Sequence, residues 1–403
     1  MTNVILQPLV DEKFYRMVSM SITFIAYIVL WLFGFIFLFH IPLCSNRKVK
    51  VISRPVVSII IPARNEEITL AKLLNSLKGQ IDAGDEVIVI DDHSEDKTGK
   101  IAEQNGAVVI KSKALPRGWL GKSWACYQGA SAATGELLIF LDADTVLDNN
   151  SLNKIISTYY RFDGILTIQP YHKISKPYEE LSAFFNLVVM AAMGAFTIFR
   201  RIIKPLGLFG PVIVLTRQQY IESGGHAKVK GKILEDLEFG AEFKKRGVGI
   251  YCYGGKNTVS FRMYPDGVRQ LTTGWSKVFA MGAVKTPIPL LIMIFAWITG
   301  AIGTTRYFAQ AIIIADTNQI IIWGILYICY VFQIYWMLAR IGNFKFYTAL
   351  LYPIPLLFFV ILFIYSLVLV FIRKRVQWKG RTIYVKGSRH NIVTPYNTNN
   401  DRG

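Results

Sequence analysis

A mixed α/β domain with a mainly parallel, Rossmann-like sheet, held in a membrane by one N-terminal and about three C-terminal apolar segments, is the fold class this sequence predicts. Two observations predict it. Stretches free of Lys, Arg, Asp and Glu occupy both ends of the 403-residue chain, at 17–46, 286–305, 317–339 and 346–372. Each meets the roughly 20 helical residues that cross a hydrocarbon core of about 30 Å. Between them, short β-branched runs alternate with helical periodicity, the pattern of a sheet covered by helices on both faces. The composition agrees, since 52% hydrophobic and 13% aromatic residues are high for a water-soluble chain.

The chain divides accordingly into an anchor and basic linker (1–54), a globular domain (55–285), a C-terminal membrane region (286–372) and a basic tail (373–403). The first apolar stretch carries Trp31 and several phenylalanines but no small-residue cleavage site, so it is expected to remain as an anchor. Arg47, Lys48, Lys50 and Arg54 follow it, against Lys13 and Arg16 before it. The positive-inside rule then predicts a multi-pass protein of the cell membrane with the globular domain in the cytoplasm. The tail "RKRVQWKGRTIYVKGSRH" has seven Lys or Arg and no acid, and is expected on the same side. Three C-terminal crossings would put it outside. Either one of the three segments is interfacial or re-entrant, or the tail breaks the rule.

A net charge of +18 raises nucleic acid as a partner, but basic clusters beside apolar spans fit anionic headgroups better, at about 1 kcal/mol each. Cys44, Cys126, Cys252 and Cys329 form no C-x-x-C pair, which speaks for a reduced compartment and against a zinc site.

Within the globular domain, "VVSIII" reads as a buried strand ending at Pro62. Leu70, Leu73, Leu74 and Leu77 then recur at helical spacing until Gly79. "EVIVI" is a second strand, ending in Asp91 and Asp92; "AVVI" is a third, before a helical stretch in "GKSWACYQGASAATG". "LLIFL" is a fourth, ending in Asp142 and Asp144. A strand continued through them would set both acids on one face, where they repel unless a positive charge intervenes. Acids gathered at the carboxyl ends of parallel strands mark the usual ligand crevice of such sheets. "RGWLGKS" misses the P-loop pattern because Pro116 stands where its first glycine belongs, which excludes that phosphate cradle. Lys122 can still meet a phosphate.

Residues 181–199 form an uncharged run between the acid pair and "ILEDLEFG". A crossing there would split one site across the membrane, so the run is expected to be buried, re-entrant or interfacial, with Arg200, Arg201 and Lys204 facing headgroups.

Five motifs in order, "SIIIPARNEE", "VIVIDDHSEDKT", "GKSWACYQGA", "LIFLDADT" and "GG…ILEDLEFG", resemble family 2 glycosyltransferases of the GT-A fold, over about residues 56–280. The resemblance implies a UDP-sugar donor, UDP-glucose first, and a divalent ion, Mg²⁺ or Mn²⁺, on hard oxygen ligands. It makes Asp144 the metal ligand and brings Asp142 to the nucleotide or its metal. Glu66 and Asp92 go to the uracil and ribose, with Pro62, Ala63 and Arg64 shaping that pocket. Asp236 becomes the base that takes a proton from the acceptor, and Glu235 a weaker candidate. On the acceptor side the resemblance points to Gly225, His226 and Trp275. Polymer-making relatives carry an arginine where this chain has Gly274, before Trp275, which favours one sugar per acceptor. Two motifs, "IIIPARNEE" and "GKSWACYQG", look most like members that glycosylate a carotenoid carboxylic acid. A hopanoid, glycerolipid or polyprenyl phosphate acceptor, a short polymer, or a silent nucleotide-binding membrane protein are the alternatives.

Overall fold

The computed structural model describes residues 7–46, 54–276, 279–369, 375–378 and 381–384. Arg47, Lys48 and Lys50 of the predicted basic linker, and most of the basic tail, lie outside the described residues.

In chain order the elements are helix α1 (Gln7–Phe37), strand β1 (Val57–Ala63), α2 (Glu67–Leu77), β2 (Glu86–Asp91), α3 (Thr98–Gln104), β3 (Val108–Lys111), α4 (Gly121–Ala132), β4 (Leu137–Leu141) and β5 (Thr145–Leu147). There follow α5 (Ser151–Tyr159), β6 (Gly164–Gln169), β7 (Tyr171–His172), α6 (Ala183–Ala192), β8 (Val212–Thr216), α7 (Arg217–Ser223), α8 (Glu235–Lys245), β9 (Gly249–Gly254) and β10 (Val259–Phe261). The chain then enters α9 (Val268–Ser276), α10 (Phe279–Lys285), α11 (Ile288–Ile314), α12 (Thr317–Ile341), α13 (Phe346–Leu350) and α14 (Pro353–Leu367). A short hairpin, β11 (Arg375–Trp378) with β12 (Arg381–Tyr384), ends it.

A seven-stranded sheet runs β3-β2-β1-β4-β8-β6-β9. β1 pairs in parallel with β2 and β4, β2 with β3, and β6 with β9, while β8 is antiparallel to both neighbours. Strands buried on both faces need apolar residues throughout, and in β4 every residue from Leu137 to Leu141 is buried. Leu70, Leu73, Leu74 and Leu77 are the buried face of α2, as their spacing predicts. A second sheet, β5-β10-β7, stands beyond the end of β4.

Among the described residues, three helices are long and apolar enough to cross a membrane: residues 17–37 within α1, then α11 and α12. Polar clips join them inside the bundle. Trp297 Nε1 donates to Gln333 Oε1 (2.8 Å) and Gln333 Nε2 to Trp31 O (2.8 Å). Gly34 allows that approach, because a Cβ there would lie 2.5 Å from Gln333 Cδ.

Three expectations change. The helix of the first apolar stretch stops at Phe37, and residues 38–46 leave it to dock on the seven-stranded sheet, where Gly254 N donates to Pro42 O (2.8 Å). Pro42 disfavours helix in the residue before it. The last stretch, 346–372, breaks before Pro353 into α13 and a 15-residue α14. At 1.5 Å per residue α14 spans about 22 Å, short of a bilayer core. Both ends of this pair are tied to the globular domain: Thr348 Oγ1 bonds Glu180 Oε2, and Ser366 Oγ donates to Ser276 O (2.9 Å). Arg54, counted above as a headgroup residue, instead donates to Asp85 (2.7 and 2.9 Å) and pairs with Asp82 (3.0 Å).

The run 181–199 contains α6, which is buried rather than spanning. Phe184 stacks on Trp297 of α11 (5.7 Å) and Phe185 on Trp275 of α9 (4.9 Å), so α6 joins the sheet domain to the apolar helices. After it the chain surfaces, exposing Ile198, Phe199 and Ile202 around Arg200 and Arg201.

Candidate active site

The carboxyl ends of β1 and β2 open one side of the site. Asp92 N donates to Ala63 O (2.8 Å), fixing the second loop on the first. Asp92 is 6% exposed, its Oδ2 lies 3.8 Å from the Arg64 guanidinium, and its Oδ1 has no hydrogen-bond partner among the described residues. A buried, unsatisfied acceptor is costly, so it is suited to a ligand hydroxyl or N–H. Glu66 precedes α2 without capping it; its Oε2 accepts from Thr69 Oγ1 (2.6 Å). Asp91 and Asp96 brace the loop instead, accepting from Ser94 N (3.0 Å) and from Glu67 N (3.1 Å) and Thr98 N (2.9 Å).

At the end of β4 the strand geometry stops. Thr145 N and Oγ1 both donate to Asp142 O (3.1 and 2.7 Å), so Asp142, Ala143 and Asp144 form a turn. The strand alternation that would align the two acids therefore does not extend to them. The positive charge predicted to relieve Asp142 is Lys122, from the first turn of α4. Its Nζ lies 2.9 Å from Asp142 Oδ1 and 3.5 Å from Asp236 Oδ2, bridging two acids 94 residues apart in sequence rather than the two of the D-x-D. Burial alone would lower the Lys122 pKa, but Asp142, Asp236 and Glu235 outweigh it and hold the amine protonated.

Asp236 and Glu235 open α8. Burial, opposed by Lys122, pushes the Asp236 carboxyl up. Burial and then the Asp236 charge push Glu235 well above the usual carboxylate range. Gly210 makes this approach possible, since a Cβ on it would collide with the Asp236 carboxylate. No local signal in the sequence marked Gly210, and Glu235 is more central than its position suggested.

On the acceptor side, Trp275 is buried and donates from Nε1 to Ser182 Oγ (3.2 Å). Gly225 and His226 do not join it. His226 is 3% exposed, meets the Tyr220 hydroxyl through Nδ1 (3.0 Å), and packs against Phe239 (4.8 Å) and Phe140 (5.1 Å). It sits behind Asp142 and Asp236, where burial lowers its pKa and keeps it neutral, so both residues are core rather than acceptor contacts.

One cavity of about 1010 Å³ unites the rest. Pro62, Ala63, Arg64, Glu66, Asp92, Lys122, Asp142, Asp144 and Asp236 line its polar end. It continues past Met263, Tyr264 and Trp275 into a slot between α11 and α14, lined by Leu291, Ile298, Ile302, Phe359, Phe363 and Leu367. Ile302 and Ile364 both line this slot and are exposed.

The sequence pattern of glycosyl transferase family 2 matches residues 58–222. A 4,4'-diaponeurosporenoate glycosyltransferase of Staphylococcus haemolyticus is 36% identical over 335 residues, 82% of this chain and 89% of that protein. One of Staphylococcus aureus strain USA300 is 33% identical over 331 residues, 81% and 87% of the two chains. Among solved structures, a mannosyltransferase from Pyrobaculum calidifontis, in complex with GDP-Man and Mn²⁺, aligns over 80% of this chain and 96% of its own at 15% identity, TM-score 0.48. Glucosyl-3-phosphoglycerate synthase from Mycobacterium tuberculosis aligns over 61% and 88% at 17% identity, TM-score 0.39. Both structural likenesses are too remote to bear on the site. The matched motifs and the two close relatives are sufficient: the chain is a glycosyltransferase and belongs to glycosyl transferase family 2.

Proposed function

We propose that this chain moves a single hexose, glucose first among candidates, from a UDP-sugar to the carboxyl of a carotenoid acid, with inversion, at the cytoplasmic face of the cell membrane. The observation that carries this reading is the continuity of the cavity, from acids at the strand ends to an apolar slot between α11 and α14. A soluble acceptor has no use for such a slot, whereas a long apolar chain buries there at about 25 cal/mol per Å². The names of the two relatives point to a carotenoid acid among lipids.

In this reading Asp92, Glu66 and Arg64 hold the nucleoside. Asp144, with Asp142, supplies one or two hard oxygens, as Mg²⁺ or Mn²⁺ takes when phosphates and water complete its shell. The described residues hold no cluster of three ligating side chains, so this donor set suits an ion that arrives with the diphosphate. Such an ion supplies positive charge for the departing diphosphate. The acceptor oxygen bonds to the anomeric carbon as the bond from that carbon to the diphosphate breaks, its electron pair leaving with UDP. A carboxylic acid with a pKa near 4 is already ionised, so Asp236 orients it; a hydroxyl would give its proton to Asp236.

α1, α11 and α12 cross the bilayer, while the α13–α14 pair, tied to the globular domain at Thr348 and Ser366, returns to the same side. Two C-terminal crossings then leave the basic tail in the cytoplasm, consistent with the positive-inside rule.

The test is hexosylation of a purified carotenoid acid in vesicles with UDP-glucose and Mg²⁺ or Mn²⁺, wild type against Asp144→Ala, with lipid products read by mass spectrometry. Metal-dependent hexosyl ester from the wild type alone is expected. Hexosylation of a hopanoid, glycerolipid or polyprenyl phosphate instead would keep the enzyme and replace its acceptor. No hexosylated lipid from any nucleotide sugar would overturn the reading.

A further inference from the structure

One side chain lines the cavity alongside both its acids and its tryptophan. Tyr264 lines it together with Asp144, Asp236, Gly274 and Trp275. The φ of Tyr264 is 55°, in the left-handed region, where a bulky residue persists only if its surroundings hold it. The Tyr178 hydroxyl does so, donating to Tyr264 O (2.8 Å) and accepting from Gly267 N (2.9 Å). Trp275 lies edge-on to the ring at 5.7 Å. The ring is thereby held over Gly274, where a Cβ would collide with Cε1 and lie 2.5 Å from Cζ and 2.7 Å from the hydroxyl oxygen. Tyr264 thus lines the cavity together with both the candidate metal acid Asp144 and the tryptophan it packs against.

We propose that Tyr264 is a specificity-determining residue that limits transfer to one hexose. Its ring leaves room beside Asp144 and Asp236 for the carboxyl of an apolar acid, but not for an acceptor end that already carries a sugar. This rests on the reading of the acceptor given above. A second transfer needs a hydroxyl of the first hexose to bond to a new anomeric carbon. The bond from that carbon to the diphosphate breaks, its electron pair leaves with UDP, and the hydroxyl proton passes to the Asp236 carboxylate. With the ring over Gly274, that hydroxyl stops short of the donor.

The test supplies wild type, Tyr264→Phe and Tyr264→Gly in vesicles with UDP-hexose and, separately, with the free acid or its purified monohexosyl ester. Products are read by mass spectrometry. Glycine adopts a φ near 55° without strain, so Tyr264→Gly opens the space while sparing the backbone. Wild type and Tyr264→Phe are expected to stop at one hexose. Tyr264→Gly is expected to raise the ratio of dihexosyl to monohexosyl product roughly tenfold or more, the scale on which a pocket discriminates by size. Tyr178→Phe, which removes the hydroxyl that holds the Tyr264 backbone carbonyl, is expected to raise it less. Only monohexosyl product from both Tyr264→Gly and Tyr178→Phe would overturn the role of Tyr264 and leave the functional reading intact. So would loss of the first transfer in Tyr264→Gly while UDP still binds. No hexosyl ester from the wild type would overturn the functional reading, and this inference with it.

Discussion

Where the cavity meets the sheet, its wall is made of loops leaving β1, β2 and β4 and of the first turns of α4 and α8, each carrying a charge within a few residues of a strand or helix end. Between α11 and α14 the same cavity is lined by no charged side chain among the described residues, and its wall comes from helices that touch only in the folded chain. The half proposed for the donor is electrostatic, with Lys122 shared between Asp142 and Asp236; the half proposed for the acceptor is steric and apolar. A change in the first should therefore affect every acceptor alike. In the second, the effect should depend on the acceptor.

The sharpest way to break that contrast is Asp144→Ala. If Asp144 holds the ion that bears the leaving charge, hexosyl transfer falls on the order of 10³-fold for lipid and soluble acceptors alike, in product formation measured at saturating metal. A loss confined to the lipid acceptor would place Asp144 in the other half. Next in size is Ile298→Trp, which overfills the slot at a cost of about 1–3 kcal/mol. kcat/KM for the carotenoid acid should then drop roughly 10- to 100-fold while UDP affinity, read by calorimetry, stays unchanged.

Asp236→Asn probes the junction of the halves. Two charges about 4 Å apart repel by roughly 4 kcal/mol at an effective dielectric of 20, so the substitution should harm transfer to a carboxylate less than to a matched hydroxyl. Equal losses for the two acceptors would count against Asp236 as a base.

The smallest effect concerns stability. The raised pKa of Glu235 means that the folded state binds its proton more tightly than the unfolded state does. That contribution is full below the unfolded value and lost as pH rises through the folded one. Glu235→Gln should therefore raise Tm by roughly 2–4 °C at pH 9, and by less at pH 6, in thermal unfolding of the detergent-solubilised protein. A gain independent of pH would contradict the burial of an ionisable carboxyl.

The donor half was legible because its chemistry is local. Asp92, Lys122, Asp142, Asp144 and Asp236 each sit beside a strand end or helix start that composition marks, and all line one cavity. His226 and Gly225 misled because a Gly-Gly-His turn looks the same whether it faces a cavity or packs under Phe140 and Phe239. Tyr264 and Gly210 left no trace, since close approach to Gly274 or to Asp236 has no periodicity. The apolar run 181–199 was correctly denied a crossing, but only the stacking of Phe184 and Phe185 shows which partners bury it.

By itself the sequence determined the strand and helix periods, the apolar ends and the acids at strand termini, because each depends on residues a few positions apart. The tertiary structure decided that Lys122 joins Asp142 to Asp236, that α13 and α14 are tied back at Thr348 and Ser366, and that one cavity leads from the acids to an apolar slot. Those outcomes depend on distances between segments far apart in the chain, set by how apolar faces pack, and no local pattern encodes them.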